Sequence, residues 1–578
     1  MNLAPLDITI LVAVLVTILA VGVFSARRAG RSSDQFFLGG RDLPWWMLGL
    51  SMVATTFSAD TPNLVTDIVR QNGVAGNWVW WAFLLTGLVT TFLYARLWRR
   101  TGFTTDNEFY EARYGGTPGR FLRGFRAVYL GFFFNTLVLA TVCLAAIKMG
   151  QVVLGWPAWQ TIGVAALVTM VFSALGGLRG VILTDMLLFV LAMVGAVAAA
   201  WFVVMHPFVG GLGNLFAHPA VNDSLSFVPD LTDPGQWVPL LVIPLAVQWW
   251  SAWYPGAEPG GGGYIAQRIL SARTPGHAIG ATLLFNVLHY AVRPWPWILV
   301  ALGSLIAFPT LDELATAFPA VSADKLGHDL AYPAMLTMIP AGWLGLVLAS
   351  LLAAFVSTLS THLNWGASYL TLDVWKRFVR PAAGERELVR VGRGWTVLTM
   401  AAGVLMALYL ENAKQVFDII LMFGAGTGLV FILRWFWTRI NAWTEISAMV
   451  ASGVLSMVLT FTDIYPEAWA DWARYPLIVG ASTAVWLAVT ILTPREDEEL
   501  LRAFRKRSGV ANTDWFGGLS AVFTGAGAIY GALFTVGFAL YGMWTNAALL
   551  GVVSILCAIL LGFVWTKVLA PSMADDAA

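Results

Sequence analysis

Four hydroxyl side chains, Ser357, Thr358, Ser360 and Thr361, crowd into the stretch LLAAFVSTLSTHLN (351–364), inside an apolar run covering about 333–375. At helical spacing Ala354, Ser357, Thr358 and Thr361 fall at i, i+3, i+4 and i+7, so they share one face, with Ser360 at its edge. A stripe of this kind has two readings. Serine and threonine in membrane helices bond back to their own i−4 carbonyls or hold neighbouring helices together. The other reading is chemical: the stripe supplies oxygen ligands to a monovalent cation stripped of water, provided that a second element offers loose backbone carbonyls.

Two segments are candidates for that second element. In SMVATTFSADTPNLVTD (51–67), Thr55, Thr56, Ser58, Asp60, Thr61 and Pro62 fall near the middle of an apolar span. Proline removes one helical hydrogen bond, and a carboxylate inside a membrane costs on the order of 2.5–3.5 kcal/mol on insertion scales. Either the helix is kinked, with Asp60 capping freed amides, or it is broken and its half-helix ends line a solute site. In WWSAWYPGAEPGGGGYIAQR (249–268), two prolines, five glycines and Glu258 rule out a regular helix, leaving an opened chain at membrane depth or an ordinary loop. A broken helix facing the hydroxyl stripe would make sodium the natural occupant.

The elements that must position these residues are membrane helices. The 578-residue chain is 58% hydrophobic and 12% charged, with a mean hydropathy of +0.72, more apolar surface than a soluble fold of this size can bury. Apolar runs of roughly 20 residues recur along the whole chain, the length a bilayer core demands. About fifteen are expected, the first of them (6–26) a retained helix rather than a signal peptide. A net charge of +1 gives no bias toward nucleic acid, and Cys143 and Cys557 lie in apolar segments that imply no disulfide framework.

Lys and Arg concentrate in alternate connections, among them 27–31, 99–120, 268–273, 376–386 and 502–507, while 207–236 contains neither, which puts the amino terminus outside and the carboxyl terminus inside. Trp45, Trp46, Trp78, Trp80 and Trp81 flank spans and read as interfacial anchors. Each irregular segment opens a run of five spans, and because five is odd the second run crosses in the opposite sense. The chain then divides into a leading helix and loop (1–43), a first inverted repeat (44–206), an extracellular loop (207–236), a second repeat (237–438) and extra carboxyl-terminal helices (439–578). Paired Gly/Pro-interrupted spans in two inverted halves point to a secondary transporter's midplane site.

The stretches FFLGGRDLPWWMLGLSMVATTFSAD (36–60), GGLRGVILTD (176–185), YIAQR (264–268) and LLAAFVSTLSTHLNWGASYLTLDVWKRF (351–378) resemble the sodium:solute symporters, the group that includes bacterial proline, sugar and sialic acid carriers. The resemblance implies an all-α integral membrane protein with a LeuT-like five-plus-five core, one leading helix and about four trailing ones. It implies a main sodium site made of the carbonyls of Ala54, Phe57 and Ala354 and the hydroxyls of Ser357 and Thr358. It implies a second sodium site, present in some members, at Asp185, Ser357, Ser360 and Thr361; Asp185 read without the family is a shallow carboxylate that snorkels or pairs with Arg179. Similarity to sugar carriers puts Thr56, Asp60 and Thr61 on the solute, with Trp253, Tyr254 and Glu258 lining the other broken helix. Arg293, a further intramembrane charge, holds a solute carboxylate or neutralises an acid. The chain departs from the family at Leu188, where many relatives carry glutamine, and at PGAEPGGGG, where they carry an inner-gate tyrosine and tryptophan, so the solute is not carried over.

The expected activity is sodium-coupled import of a small polar organic solute by alternating access, with sodium as the co-transported ion and no enzymatic step. The expected setting is the cell's inner membrane, with solute, sodium and lipid as partners and neither nucleic acid nor an obligate protein partner. A sodium channel and a solute sensor on the same fold are the alternatives. A multi-haem enzyme is disfavoured, since only His289 and His362 lie clearly within spans. The charged segment TPREDEELLRAFRKRSG (493–509) reads as a solvated cytoplasmic helix.

Overall fold

The computed structural model describes residues 3–56, 58–251, 258–319, 321–410, 422–462, 464–466 and 469–566. Among them eleven helices are long and apolar enough to cross a bilayer. The elements that matter below are α1 (Pro5–Ala29), α2 (Trp45–Thr56), α3 (Asp60–Asn72), α4 (Asn135–Met149), α5 (Ala158–Met205), α6 (Gly263–Leu270), α7 (Pro275–Val287), α8 (Pro294–Ala307), α9 (Trp343–Ser368), α10 (Glu385–Tyr409), α11 (Glu498–Ser508), α12 (Trp515–Leu540) and α13 (Trp544–Val564). Neither interrupted segment counts among the eleven, because each is cut into pieces too short to span alone.

At the centre α5 and α9 run along each other, with α1 packed on both. The α2 helix lies against α5, α7 and α9, and α6 touches α2, α7 and α9. The start of α9 is fixed by Asp7 of α1, whose Oδ1 accepts from the Gly342 and Gly345 amides at 2.6 and 2.7 Å. A carboxylate placed there satisfies amides that lack a helical partner and suits the positive end of the helix dipole. The α9 helix then continues through Tyr369–Val379 in wider π-helical turns.

Sequence periodicity places two spans, 158–176 and 180–206, where the structure has one element. The α5 helix carries both arms, joined at Gly177 with φ 55° and ψ −175°. That backbone region is essentially closed to residues with a Cβ, so Gly177→Ala is expected to cost about 1–3 kcal/mol. A lowered unfolding temperature of the purified protein in detergent checks it.

Three expectations are corrected. Trp45 and Trp46 are 43% and 42% exposed, as anchors should be, but Trp78, Trp80 and Trp81 are buried. Two of them form an aromatic wall for α12: Trp78 packs on Tyr530 and Phe534 and Trp81 on Phe534, while the Tyr530 hydroxyl donates to the Trp81 carbonyl at 2.8 Å; Trp80 packs instead on His289 and Tyr290. The α11 helix is not simply solvated. Its Leu501 and Phe504 are buried, with Phe504 against Phe109 and Trp435, and Arg507 donates to the Thr101 carbonyl at 2.6 Å. Arg268, taken as a loop charge, is wholly buried.

Candidate functional site

The first interruption is real. The α2 helix stops at Thr56 and α3 begins at Asp60, with Pro62 in its first turn, where a missing N–H costs little. The Thr61 amide donates to the Ser58 carbonyl at 3.2 Å, and the Ser58 amide donates to Thr61 Oγ1 at 3.3 Å. This local cap holds the second half-helix in place, while the last carbonyls of α2 are left without a helical donor.

The stripe on α9 meets α2 just ahead of that break. Thr358 Oγ1 donates to the Thr55 carbonyl at 2.8 Å, and the Thr55 and Thr361 hydroxyls lie 2.9 Å apart. Ser357 Oγ donates to Asp185 Oδ1 at 2.6 Å, and Ser51 Oγ donates to Asp185 Oδ2 at 2.5 Å. Ser360 turns back onto the Ser357 carbonyl at 3.0 Å, the ordinary behaviour of a membrane serine. Ala54 and Ala354, each 2% exposed, belong to one buried cluster. Phe57 lies outside the described residues. Asp185 does not pair with Arg179, which instead holds Asp42 at 3.0 Å. Its charged neighbour is Arg268 of α6, 3.9 Å away, whose Nη2 also donates to Thr361 Oγ1 at 2.7 Å.

The residues assigned to the solute are spread over several tasks. Thr56 Oγ1 donates to the Met52 carbonyl at 2.8 Å and lies 2.9 Å from the Tyr264 hydroxyl, joining α2 to α6. Asp60 is half-buried at the head of α3. Trp253 and Tyr254 lie outside the described residues. Glu258 follows that segment and is ion-paired through Oε1 with Arg126, both side chains nearly fully buried. Arg126 in turn sits over the Tyr110 and Phe431 rings at 5.3 and 4.9 Å. Glu258, Thr86, Thr90, Tyr264 and Asn286 help line a cavity of about 30 Å³. Gly260 and Gly261, at φ 88° and 89°, pass so close to Tyr94 and Thr90 that a Cβ would meet them at 3.0–3.1 Å, so the glycine run is a close approach as well as a turn. Arg293 donates to the Val53 carbonyl at 2.8 Å, contacts His289 and lies over the Trp297 ring at 5.2 Å. It braces α2 one residue before Ala54.

Sequence reasoning missed Ser51, Thr55, Tyr264 and Arg268 as members of the cluster. The first two were within reach: Ser51 and Thr55 stand one turn apart on the helix face that continues toward the break. His362, by contrast, behaves as a helix-to-helix tie. Its Nδ1 lies 2.7 Å from Asn135 Oδ1 and its carbonyl accepts from Asn135 Nδ2 at 2.8 Å.

What this arrangement offers is a knot of oxygens, one backbone carbonyl and several hydroxyls, where a broken helix and an intact one cross. Residues 36–452 match the sequence model of the sodium:solute symporter family. A sodium/glucose cotransporter from Vibrio parahaemolyticus is 26% identical over 532 residues, which cover 89% of this chain and 95% of that protein. A sodium/myo-inositol cotransporter 2 from Sus scrofa is 27% identical over 508 residues, covering 81% and 72%. The solved structure of a Na+-coupled sialic acid symporter, substrate-bound and outward-open, superposes with a TM-score of 0.68 at 18% identity, over 86% of this chain and 99% of that one. At that identity the likeness speaks for the fold: an all-helical, multi-pass membrane architecture of the LeuT-like kind.

Proposed function

Since the chain belongs to the sodium:solute symporter family and couples solute movement to sodium, we propose that it imports a small polar organic solute, a sugar, amino acid or organic acid, by alternating access. The names of the relatives favour a sugar or cyclic polyol among these classes. One observation carries the reading: Thr358 of an intact helix bonds the Thr55 carbonyl of an interrupted one. A sodium ion at this junction would draw on the carbonyls of Ala54, Phe57 and Ala354 and the hydroxyls of Ser357 and Thr358, with the Thr55 carbonyl as a further oxygen. Thr56, Asp60 and Thr61, next along the same interrupted segment, would face the solute.

Coupling follows from position. An ion that binds only when the ends of α2 and α9 are together fixes the break, and a fixed break preorganises the solute-facing residues beyond it. Each sodium that moves inward through 100 mV contributes about 2.3 kcal/mol to solute accumulation. Rocking of one helix bundle would then expose both ion and solute to the inside. The inner membrane is the proposed setting, with the amino terminus outside and the carboxyl terminus in the cytoplasm, because Lys and Arg still favour alternate connections once the buried Arg113 and Arg268 are set aside.

Purified protein in liposomes carrying an inward sodium gradient, offered a panel of sugars, polyols, amino acids and organic acids, should accumulate at least one class. Replacing sodium by choline should abolish accumulation. Uptake that persists in choline without a membrane potential defeats the reading, and sodium current that needs no solute would make the protein a channel.

A further inference from the structure

A guanidinium stands where the family resemblance implied a second sodium ion. Arg268 is fully buried, and its contacts lie inside the Asp185 cluster. Its Nη2 donates to Thr361 Oγ1 at 2.7 Å and to Ser51 Oγ at 3.2 Å, its Nε donates to Ser51 Oγ at 3.3 Å, and its Nη1 donates to Gln267 Oε1 at 2.9 Å. Asp185, also fully buried, has Oδ1 engaged by Ser357 and Oδ2 by Ser51, with Arg268 Nη2 3.9 Å from Oδ2.

Charge decides what else the cluster can hold. One carboxylate and one guanidinium balance, and a buried charge is tolerated only when it is paired. A second sodium ion here would lie against the guanidinium, a like charge at close quarters, with Asp185 the one carboxylate that the described contacts give to both of them. Arg179 does not alter the balance, since Asp42 holds it elsewhere. We propose that Arg268 is the resident cation of the Asp185 cluster, taking the place of a second sodium ion, so that each chain binds one sodium, at the junction of α2 and α9.

Arg268 is placed to do more than neutralise. It stands in the last turn of α6, the half-helix that follows the glycine-rich interruption, and it reaches Ser51 of α2 and Thr361 of α9 at once. The Thr361 hydroxyl is 2.9 Å from that of Thr55, whose carbonyl belongs to the main ion site. When α6 moves, the guanidinium leaves or re-enters a cluster that shares α2 and α9 with the sodium ion. A tethered charge can thus link the second interrupted segment to the first without itself crossing the membrane.

The inference rests on the main sodium site proposed above, and one experiment separates the two. Radioactive sodium is bound at saturation to the purified full-length protein in detergent, with choline as the balancing cation, and counted per chain. The expected count is one for the wild type, one for Arg268→Lys, which keeps the charge, and two for Arg268→Gln, where Asp185 recruits an ion of its own. A wild-type count of two overturns the proposal, as does a count of two for Arg268→Lys or of one for folded Arg268→Gln. If Arg268→Gln does not fold, the other two counts still decide. A wild-type count of zero removes the main site itself.

Discussion

Glu258→Gln is expected to destabilise the protein by about 3–5 kcal/mol, because it leaves the Arg126 guanidinium buried without its carboxylate. Both side chains are at most 5% exposed, so water cannot take over the lost role. The Tyr110 and Phe431 rings stacked on Arg126 soften the loss only in part, since a cation over an aromatic face is worth on the order of 0.5–2 kcal/mol. The companion measurement removes both charges. In Arg126→Met/Glu258→Met the two partners go together, and replacing a buried ion pair by apolar residues is often neutral or stabilising by about 1–4 kcal/mol. Unfolding temperatures in detergent should therefore fall steeply for the single variant and recover in the double. A single variant that melts like the wild type but transports with weakened solute affinity would show that Glu258 serves the solute rather than the fold.

The second large effect concerns the ion. Ser357→Ala with Thr358→Ala removes both α9 hydroxyls from the proposed main site while leaving the helix intact. Hydrogen bonds and comparable contacts to charged groups are worth about 1.5–3 kcal/mol each, and about 1.4 kcal/mol is a factor of ten. The sodium concentration needed for half-maximal stabilisation should rise by roughly two decades or more. His362→Ala is the control on the same helix: it loses the ring contact to Asn135 Oδ1 on α4 and some stability with it, while the bond from Asn135 to its backbone carbonyl stays, and the sodium titration should not move. Equal sodium dependence in the double alanine variant and the wild type would take the ion away from this junction.

The difference between His362 and its neighbours shows what a sequence can disclose here. Ser357, Thr358 and Thr361 were legible because a 3.6-residue period sorts a helix into faces without knowledge of any partner. Both interruptions were legible because Pro and Gly act on their own backbone, and two of them in matching positions of inverted halves point to one architecture. Arg268 was not, because whether a guanidinium lies in water or in the core depends on what three other helices bring to it. In a linear reading it was one more positive charge near a span end. Trp78, Trp80 and Trp81 misled for the same reason: a tryptophan at a span boundary looks like an anchor until distant residues cover it, Tyr530 and Phe534 of α12 for Trp78 and Trp81 and Tyr290 for Trp80. Glu258 was singled out as a solute-lining candidate, but its observed partner Arg126 is 132 residues away in the chain and was invisible to spacing.

The interrupted segment leading into α6 bears on how the chain is made. A ribosome feeds spans to the membrane one after another, and a stretch enters lipid by itself only when about 20 apolar residues arrive together. Here the helical pieces around the glycine run are short, residues 234–246 and Gly263–Leu270, and the last turn of the second carries a charge that pairs with Asp185 of a helix already made. Such a segment has no stable place in lipid until α5 is waiting for it and α9 has followed. Its order of synthesis and its order of settling must therefore differ, and newborn chains would pass through a stage in which Arg268 still looks for its acid.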